Sequence, residues 1–136
     1  MGPVLALDPG TRYVGIAISN PERTIAFPLQ VLPAEPNKYL IQKLEEIVKE
    51  RRVAQMVIGR PVAFRGTILP MTKLAERFAQ KIEKALHLPV AMVDERLSTK
   101  AASATTNSRG RVDAQAAAIF LQTYLEQLQR KEQSHV

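Results

Sequence analysis

The chain has no cysteine and no tryptophan, and only two of its 136 residues are histidines. Without cysteine it can form neither a disulfide framework nor a thiolate metal site or nucleophile. His135 stands in a polar C-terminal tail, and His87 follows a helical stripe, at an end where a cation favours the helix dipole. We therefore expect a capping or surface role for His87 and no histidine-based catalytic centre.

Long apolar runs are also missing. No run reaches the ~20 residues that a membrane helix needs, and the first apolar segment begins at Val4, which leaves no room for a signal peptide. We expect a cytoplasmic protein with no membrane partner. Aromatic residues make up 5% of the chain, which argues against a base-stacking platform and favours phosphate-led contact with a nucleic acid.

Basic residues are in excess. The chain has 19 Lys and Arg against 13 Asp and Glu, a formal net charge of +6, so a polyanionic partner is expected. The length predicts a single domain over residues 1–136, with about 131–136 as a frayed tail.

The apolar pattern predicts an α/β fold with five strands and three long helices. Pro28 cannot donate to a strand ladder, so the third strand is expected at a sheet edge. Short turns between the first three strands imply an antiparallel meander. We predict a mixed five-stranded sheet in the order 3-2-1-4-5, with strand 2 antiparallel to the others and helices on both faces. The strands are predicted over Val4–Leu7, Val14–Ser19, Thr24–Leu32, Gln55–Gly59 and Pro89–Val93. The long helices are predicted over Lys38–Glu50, Pro70–Leu86 and Val112–Arg130. A short helix is predicted from Leu97, and a mobile loop over Thr105–Arg111.

Acidic residues stand where three of these elements begin or end. Asp8 ends strand 1 before Pro9-Gly10, a pair that predicts a tight turn because glycine tolerates positive φ. Asp94 and Glu95 end strand 5, and Asp113 opens the last helix. Strands 1 and 5 share one direction, so their carboxyl ends meet at the edge where open α/β sheets bind ligands.

Carboxylates with open water positions suit Mg²⁺ or Mn²⁺. Two such ions ~3.5–4 Å apart can activate a water and stabilise the leaving oxygen of a phosphodiester. We prefer Glu95 to Asp94 as the ligand from strand 5, because its longer side chain reaches further across the edge. Asp94 then ties down the following loop.

Structural roles for the same residues stay open. Asp8 can hydrogen-bond its own turn, and Asp113 can cap its helix. Asp94 and Glu95 can form surface ion pairs with neighbouring arginines. Six basic residues are expected to contact a nucleic-acid backbone beside the acids, although they also suit an ordinary solvated face: Arg12, Arg65, Arg96, Lys100, Arg109 and Arg111.

Four segments in this order resemble the YqgF (RuvX) family, described as Holliday junction resolvases and as pre-16S rRNA nucleases: Leu7–Ser19, Ile58–Pro61, Asp94–Thr99 and Val112–Ala117. The resemblance spans nearly the whole chain. It implies a ribonuclease H-like fold, a divalent-metal nuclease and catalytic acid roles for Asp8, Glu95 and Asp113. The chain departs from the family pattern at Asn20, where aspartate is usual, and in its short loop before Asp113.

Other functions are compatible with parts of the pattern. A noncatalytic RNA- or DNA-binding module would keep the fold and the basic face without turnover. An actin-like or Hsp70-like ATPase also opens with Asp-x-Gly-Thr, here Asp8–Thr11, but clamps its nucleotide between two domains, and this chain has room for one. A four-way DNA junction favours a homodimer that presents two sites, whereas trimming of precursor rRNA needs only a monomer.

Overall fold

The computed structural model describes residues 2–10, 12–60, 70–94 and 109–134. Five strands form a mixed sheet in the order β3-β2-β1-β4-β5. β2 runs antiparallel to both β1 and β3, whereas β4 is parallel to β1 and to β5. The predicted order and the antiparallel second strand are confirmed. The strands are β1 (Val4–Pro9), β2 (Tyr13–Ser19), β3 (Ala26–Pro33), β4 (Gln55–Arg60) and β5 (Val90–Asp94).

Three helices are described: α1 (Asn37–Arg51), α2 (Pro70–Leu86) and α3 (Arg109–Ser134). α2 has the predicted bounds, but α3 begins before and ends after its predicted range. Arg109–Arg111 are helical rather than part of a loop, and Lys131–Ser134 continue the helix rather than fraying, because Lys, Glu and Gln all favour helix there. The predicted helix from Leu97 lies outside the described residues. Among the described helices, none has the length and apolar content to cross a bilayer.

Alternation along the strands divides the core between the two faces of the sheet. Leu5, Leu7 and Ile16 belong to the cluster that contains the buried residues of α1 and α2. Val4 and Ala6, the intervening residues of β1, belong to the cluster that contains the buried residues of α3. The predicted helices on both faces are confirmed, and every position of β1 can be assigned to one side.

The third strand lies at a sheet edge, as Pro28 predicted. Ile16 is opposite Gln30 and Ala17 is opposite Pro28, so Leu29 is an extra residue on β3. Such a bulge fits a strand in which one residue cannot donate to the ladder.

His87 ends α2 in a left-handed backbone conformation, with φ of 55°. Its N–H donates to the Glu83 carbonyl oxygen at 3.0 Å, a bond that closes the last turn of the helix. The side chain is exposed. The capping and surface role predicted for His87 is confirmed.

Candidate active site at the carboxyl edge of the sheet

Asp8 lies near the carboxyl end of β1, the central strand of the sheet, and its side chain is half-buried. It is directly opposite Gly15 of β2. Because Val4 and Ala6 belong to the α3 cluster, alternation assigns Asp8 to the α3 face as well. A carboxylate thus lies at the rim of the central strand, on the face covered by α3.

Glycines occupy the strand positions on both sides of Asp8. Gly15 is its partner on β2. On β4, Leu7 is level with Ile58, so Gly59 is the position level with Asp8. Gly59 follows Val57 by two residues and shares its α3 face. The positions directly level with Asp8 on both neighbouring strands therefore carry no side chain, an arrangement typical of sites where a ligand approaches the backbone closely.

The end of β5 emerges at the same edge. Val93 is opposite Gly59, and Asp94 is opposite Arg60. One strand separates β1 from β5, so their backbones are about 10 Å apart. Val93 belongs to the α3 cluster. Glu95 lies outside the described residues.

The hydrogen bonds of α3 establish the direction in which it crosses the sheet. Gln122 accepts from the Ala26 N–H at 2.8 Å and donates to the Thr24 carbonyl at 3.0 Å. Gln55 Nε2 donates to the Tyr124 hydroxyl at 3.2 Å. These partners lie at the amino edge, the opposite end from Asp8, so the first turns of α3 lie toward the carboxyl edge.

Asp113 belongs to those first turns. It precedes Tyr124 by about 17 Å along the helix axis, and the four residue steps from Val4 to Asp8 span about 13 Å. Asp113 also stands one helical turn before Ala117, which is fully buried against the sheet. Position 113 therefore lies toward the carboxyl edge of the sheet.

The β1–β2 turn holds its geometry through Gly10. The Gly10 N–H donates to the Tyr13 carbonyl oxygen at 2.9 Å, and a Cβ on Gly10 would lie 2.8 Å from that oxygen. The glycine does not have the positive φ that was expected of it. Lack of space, rather than backbone conformation, requires glycine at this position.

The predicted basic residues are only partly described. Arg12 is exposed in the turn after Asp8, and its carbonyl accepts from the Ala34 N–H at 2.8 Å. Arg109 and Arg111 belong to the start of α3. Arg65, Arg96 and Lys100 lie outside the described residues.

Two features of this edge were not assigned a role from the sequence. Tyr13 is exposed on the strand position two before Gly15, and Gly59 leaves space level with Asp8. The positions of Tyr13 and Gly59 relative to Asp8 depend on which residues pair between the strands, and the sequence alone does not specify that pairing. Within the described ranges, to which Glu95 does not belong, no three His, Cys, Asp or Glu residues form a group that could hold a metal.

Asn20, the position that departs from the family pattern, lies at the amino edge. Its Oδ1 accepts from the Thr24 and Ile25 N–H groups at 2.8 and 3.0 Å, and its Nδ2 donates to Thr24 Oγ1 at 2.8 Å. Because Leu5 is opposite Ile18, Asn20 is more than the length of β1 away from Asp8. It closes the β2–β3 turn and is remote from the candidate site.

Comparison with known proteins agrees with this architecture. The family model described as "RuvX: Holliday junction resolvase" matches residues 2–127. A protein of Chloroflexus aurantiacus named "Putative pre-16S rRNA nuclease" is 38% identical over 131 residues, covering 90% of this chain and 86% of that protein. A protein of Rickettsia akari with the same name is 37% identical over 134 residues, covering 93% and 87%.

A solved structure resembles the fold. RuvC of T. thermophilus, in complex with a Holliday junction substrate, superposes with a TM-score of 0.61 at 16% identity, over 92% of this chain and 94% of that chain. The resemblance confirms the ribonuclease H-like sheet that was expected. Together with the family match and the curated relatives, it shows that the chain belongs to the RuvX family of nucleases.

Proposed function

We propose that this RuvX-family nuclease is an endonuclease that cleaves structured nucleic acid, a branched DNA junction or precursor 16S rRNA, with bound Mg²⁺ or Mn²⁺. The observation that carries the proposal is the position of Asp8. It is a half-buried carboxylate at the carboxyl end of the central strand, between two glycine positions. The end of β5 and the start of α3 approach the same edge.

The donor set fits a hard divalent cation, because the predicted ligands are all carboxylates. Asp8, Glu95 and Asp113 would hold a pair of such ions. When bound, these ions lower the pKa of a water and stabilise charge on the leaving oxygen of a phosphodiester. Glu95 is the proposed ligand rather than Asp94, because its longer side chain can reach further across the edge of the sheet.

The remaining residues would position the substrate. Arg12 follows Asp8 by four residues and is exposed, so its guanidinium can contact phosphate oxygens beside the acids. Arg109 and Arg111 begin the helix that carries Asp113. The relatives' names support precursor rRNA as a substrate, and the family description supports a DNA junction.

The test supplies a four-way DNA junction and a precursor-type rRNA fragment in parallel. Wild-type protein is expected to cleave at least one of them with Mn²⁺ and neither with EDTA. Asp8→Asn removes a charged oxygen ligand and should lower the rate by about 10³-fold, which corresponds to the several kcal/mol expected of metal-assisted charge stabilisation. Thermal unfolding of both proteins checks that the variant is folded.

Asn20→Asp is the matched control, because it replaces an amide by a carboxylate, the reverse of Asp8→Asn, at the opposite edge of the sheet. It should cleave as wild type does. If wild type cleaves neither substrate but binds one of them, the protein is a noncatalytic binding module. If Asp8→Asn cleaves as fast as wild type, the carboxylate mechanism is wrong. Light scattering during these assays determines whether the active species is the homodimer that a junction cutter would use.

A further inference from the structure

Tyr13 is an exposed aromatic residue beside the candidate active site. It is the first residue of β2, and 47% of its surface is accessible. The backbone carbonyl is engaged by Gly10. Within the described residues, its ring and hydroxyl have no hydrogen-bonded or cationic partner. The side chain therefore contributes little to the core and is available to a ligand.

Strand register relates Tyr13 to Asp8. Asp8 is opposite Gly15, and Tyr13 stands two residues before Gly15 on the same strand and face. Tyr13 is thus the diagonal neighbour of Asp8, at about 7–8 Å between backbones, a separation that aromatic side chains can span. The intervening Gly15 has no side chain that would separate them.

A backbone hydrogen bond links the end of β1 to Tyr13. The turn joins β1 directly to β2, and the Gly10 N–H bond to the Tyr13 carbonyl closes it. The next residue toward Asp8, Arg12, is exposed as well. The carboxylate of Asp8, the cation of Arg12 and the aromatic ring of Tyr13 therefore follow one another closely along the chain.

Resting on the proposed nuclease function, we propose that Tyr13 stacks on an unpaired base next to the phosphate that is cleaved. Every base has a π-face, so such stacking accepts any sequence but requires a strand that is unpaired at this position. The chain has three tyrosines, four phenylalanines and no tryptophan. One exposed ring at the site gives one base position rather than a platform, which agrees with the low aromatic content.

Tyr39 provides a matched control. It is 40% exposed and lies on α1, whose buried residues pack against the other face of the sheet. Lys43 Nζ is 5.6 Å from its ring centroid. Loss of this ring removes a similarly exposed tyrosine from the face of the sheet opposite to Asp8.

The experiment measures binding in the Asp8→Asn background, which removes turnover. Single-stranded RNA and DNA oligonucleotides are used in parallel, intact or with one abasic site moved stepwise along the strand. Tyr13→Ala should weaken binding of the intact strand about tenfold. Tyr13→Phe should bind as the parent does, because the ring remains, and Tyr39→Ala should also be unchanged.

The decisive result is a coupling between ring and base. In RNA, DNA or both, there should be one position at which an abasic site weakens binding by the parent about tenfold. At that position the abasic site should not change the affinity of the Tyr13→Ala variant. The proposal is overturned if no position shows this coupling in either strand type, or if Tyr13→Phe loses as much affinity as Tyr13→Ala. The latter result would assign the effect to the hydroxyl.

Cleavage by the protein with Asp8 intact separates this proposal from the nuclease function. If Tyr13→Ala binds and cleaves as wild type does while Asp8→Asn is inactive, the stacking role is wrong and the nuclease stands. If wild type neither binds nor cleaves nucleic acid, the proposed function is wrong and the stacking role falls with it.

Discussion

The amino and carboxyl edges of the sheet use polar residues differently. At the amino edge, polar side chains bind parts of this chain to one another. Asn20 closes the β2–β3 turn, and Gln122 joins that turn to α3. Arg23 Nε donates to the Gly2 carbonyl at 2.8 Å, and its guanidinium also reaches Gln55 Oε1 at 3.2 Å. These residues hold the fold together.

At the carboxyl edge, polar and aromatic side chains face solvent around a carboxylate. Arg12 and Tyr13 are exposed, and Asp8 lies between Gly15 and the position of Gly59. Backbone bonds from Gly10 to Tyr13 and from Ala34 to Arg12 maintain the turn at this edge. The sheet thus separates polar residues that stabilise the fold from polar residues of the candidate site, since the two groups lie at opposite ends of its strands.

The largest expected effect distinguishes Asp94, the last residue of β5, from Glu95, the next residue in the chain. Glu95→Gln should lower the cleavage rate by about 10³-fold, as Asp8→Asn does, because it removes a proposed metal ligand. Asp94→Asn should stay within about tenfold of wild type, since Glu95, with the longer side chain, is the proposed ligand. Initial cleavage rates with Mn²⁺ measure both effects, and the reverse order of the two variants would make Asp94 the ligand.

Asn20 tests the structural role of the amino edge. Asn20→Ala removes the acceptor of two backbone N–H groups and should lower the free energy of unfolding by about 1–2 kcal/mol. Asn20→Asp keeps the acceptor of both N–H groups and should stay within about 0.5 kcal/mol of wild type. Chemical denaturation measures both changes. Cleavage by Asn20→Ala at 25 °C should be unchanged, and a loss of activity in the folded variant would contradict the separation of the two edges.

Gly10 tests whether the turn positions the site. Gly10→Ala places a Cβ 2.8 Å from the Tyr13 carbonyl, so the turn must shift, at a cost of about 1 kcal/mol in unfolding free energy. We expect KM to rise more than kcat falls, because Arg12 and Tyr13 move while Asp8 stays on β1. Steady-state kinetics distinguish the two. An unchanged KM would show that the turn does not position substrate.

The smallest effect compares two arginines. Arg12→Ala should weaken nucleic-acid binding a few-fold and reduce the slope of log affinity against log salt by about one, through loss of one phosphate contact. Arg23→Ala should leave the slope unchanged and lower the unfolding free energy by about 1 kcal/mol, since it loses its bonds to Gly2 and Gln55. Titrations at several salt concentrations provide the measurement, and equal slopes for both variants would contradict the comparison.

The sequence was informative wherever a local rule determines structure. Pro28 predicted an edge position for β3, because proline has no N–H to donate to a neighbouring strand. The short turns between the first three strands predicted the antiparallel meander. α2 has its predicted bounds because its apolar stripe is uninterrupted. α3 was predicted too short because Gly110 and its polar neighbours resemble a loop, whereas burial of Ala117 and Phe120 against the sheet stabilises the whole helix.

The candidate site was harder to predict than the fold. The end-of-strand position of Asp8 follows from its apolar run. The glycines on either side of it, and the diagonal relation to Tyr13, depend on register between strands that are far apart in the chain. Asn20 appeared to be a departure within the site motif, yet the antiparallel course of β2 carries it to the far edge. Residues of one sequence motif can thus lie at opposite edges of the sheet and have different roles.

The irregularity in β3 has a consequence for self-association. A regular outer strand offers its unused amide groups to a second chain, and sheets that join in this way can extend without limit. Pro28 lacks the amide proton, and the extra Leu29 interrupts the spacing that an incoming strand would have to match. Two molecules are therefore not expected to join β3 to β3 in a continuous sheet, and this rim is protected from fibrous growth.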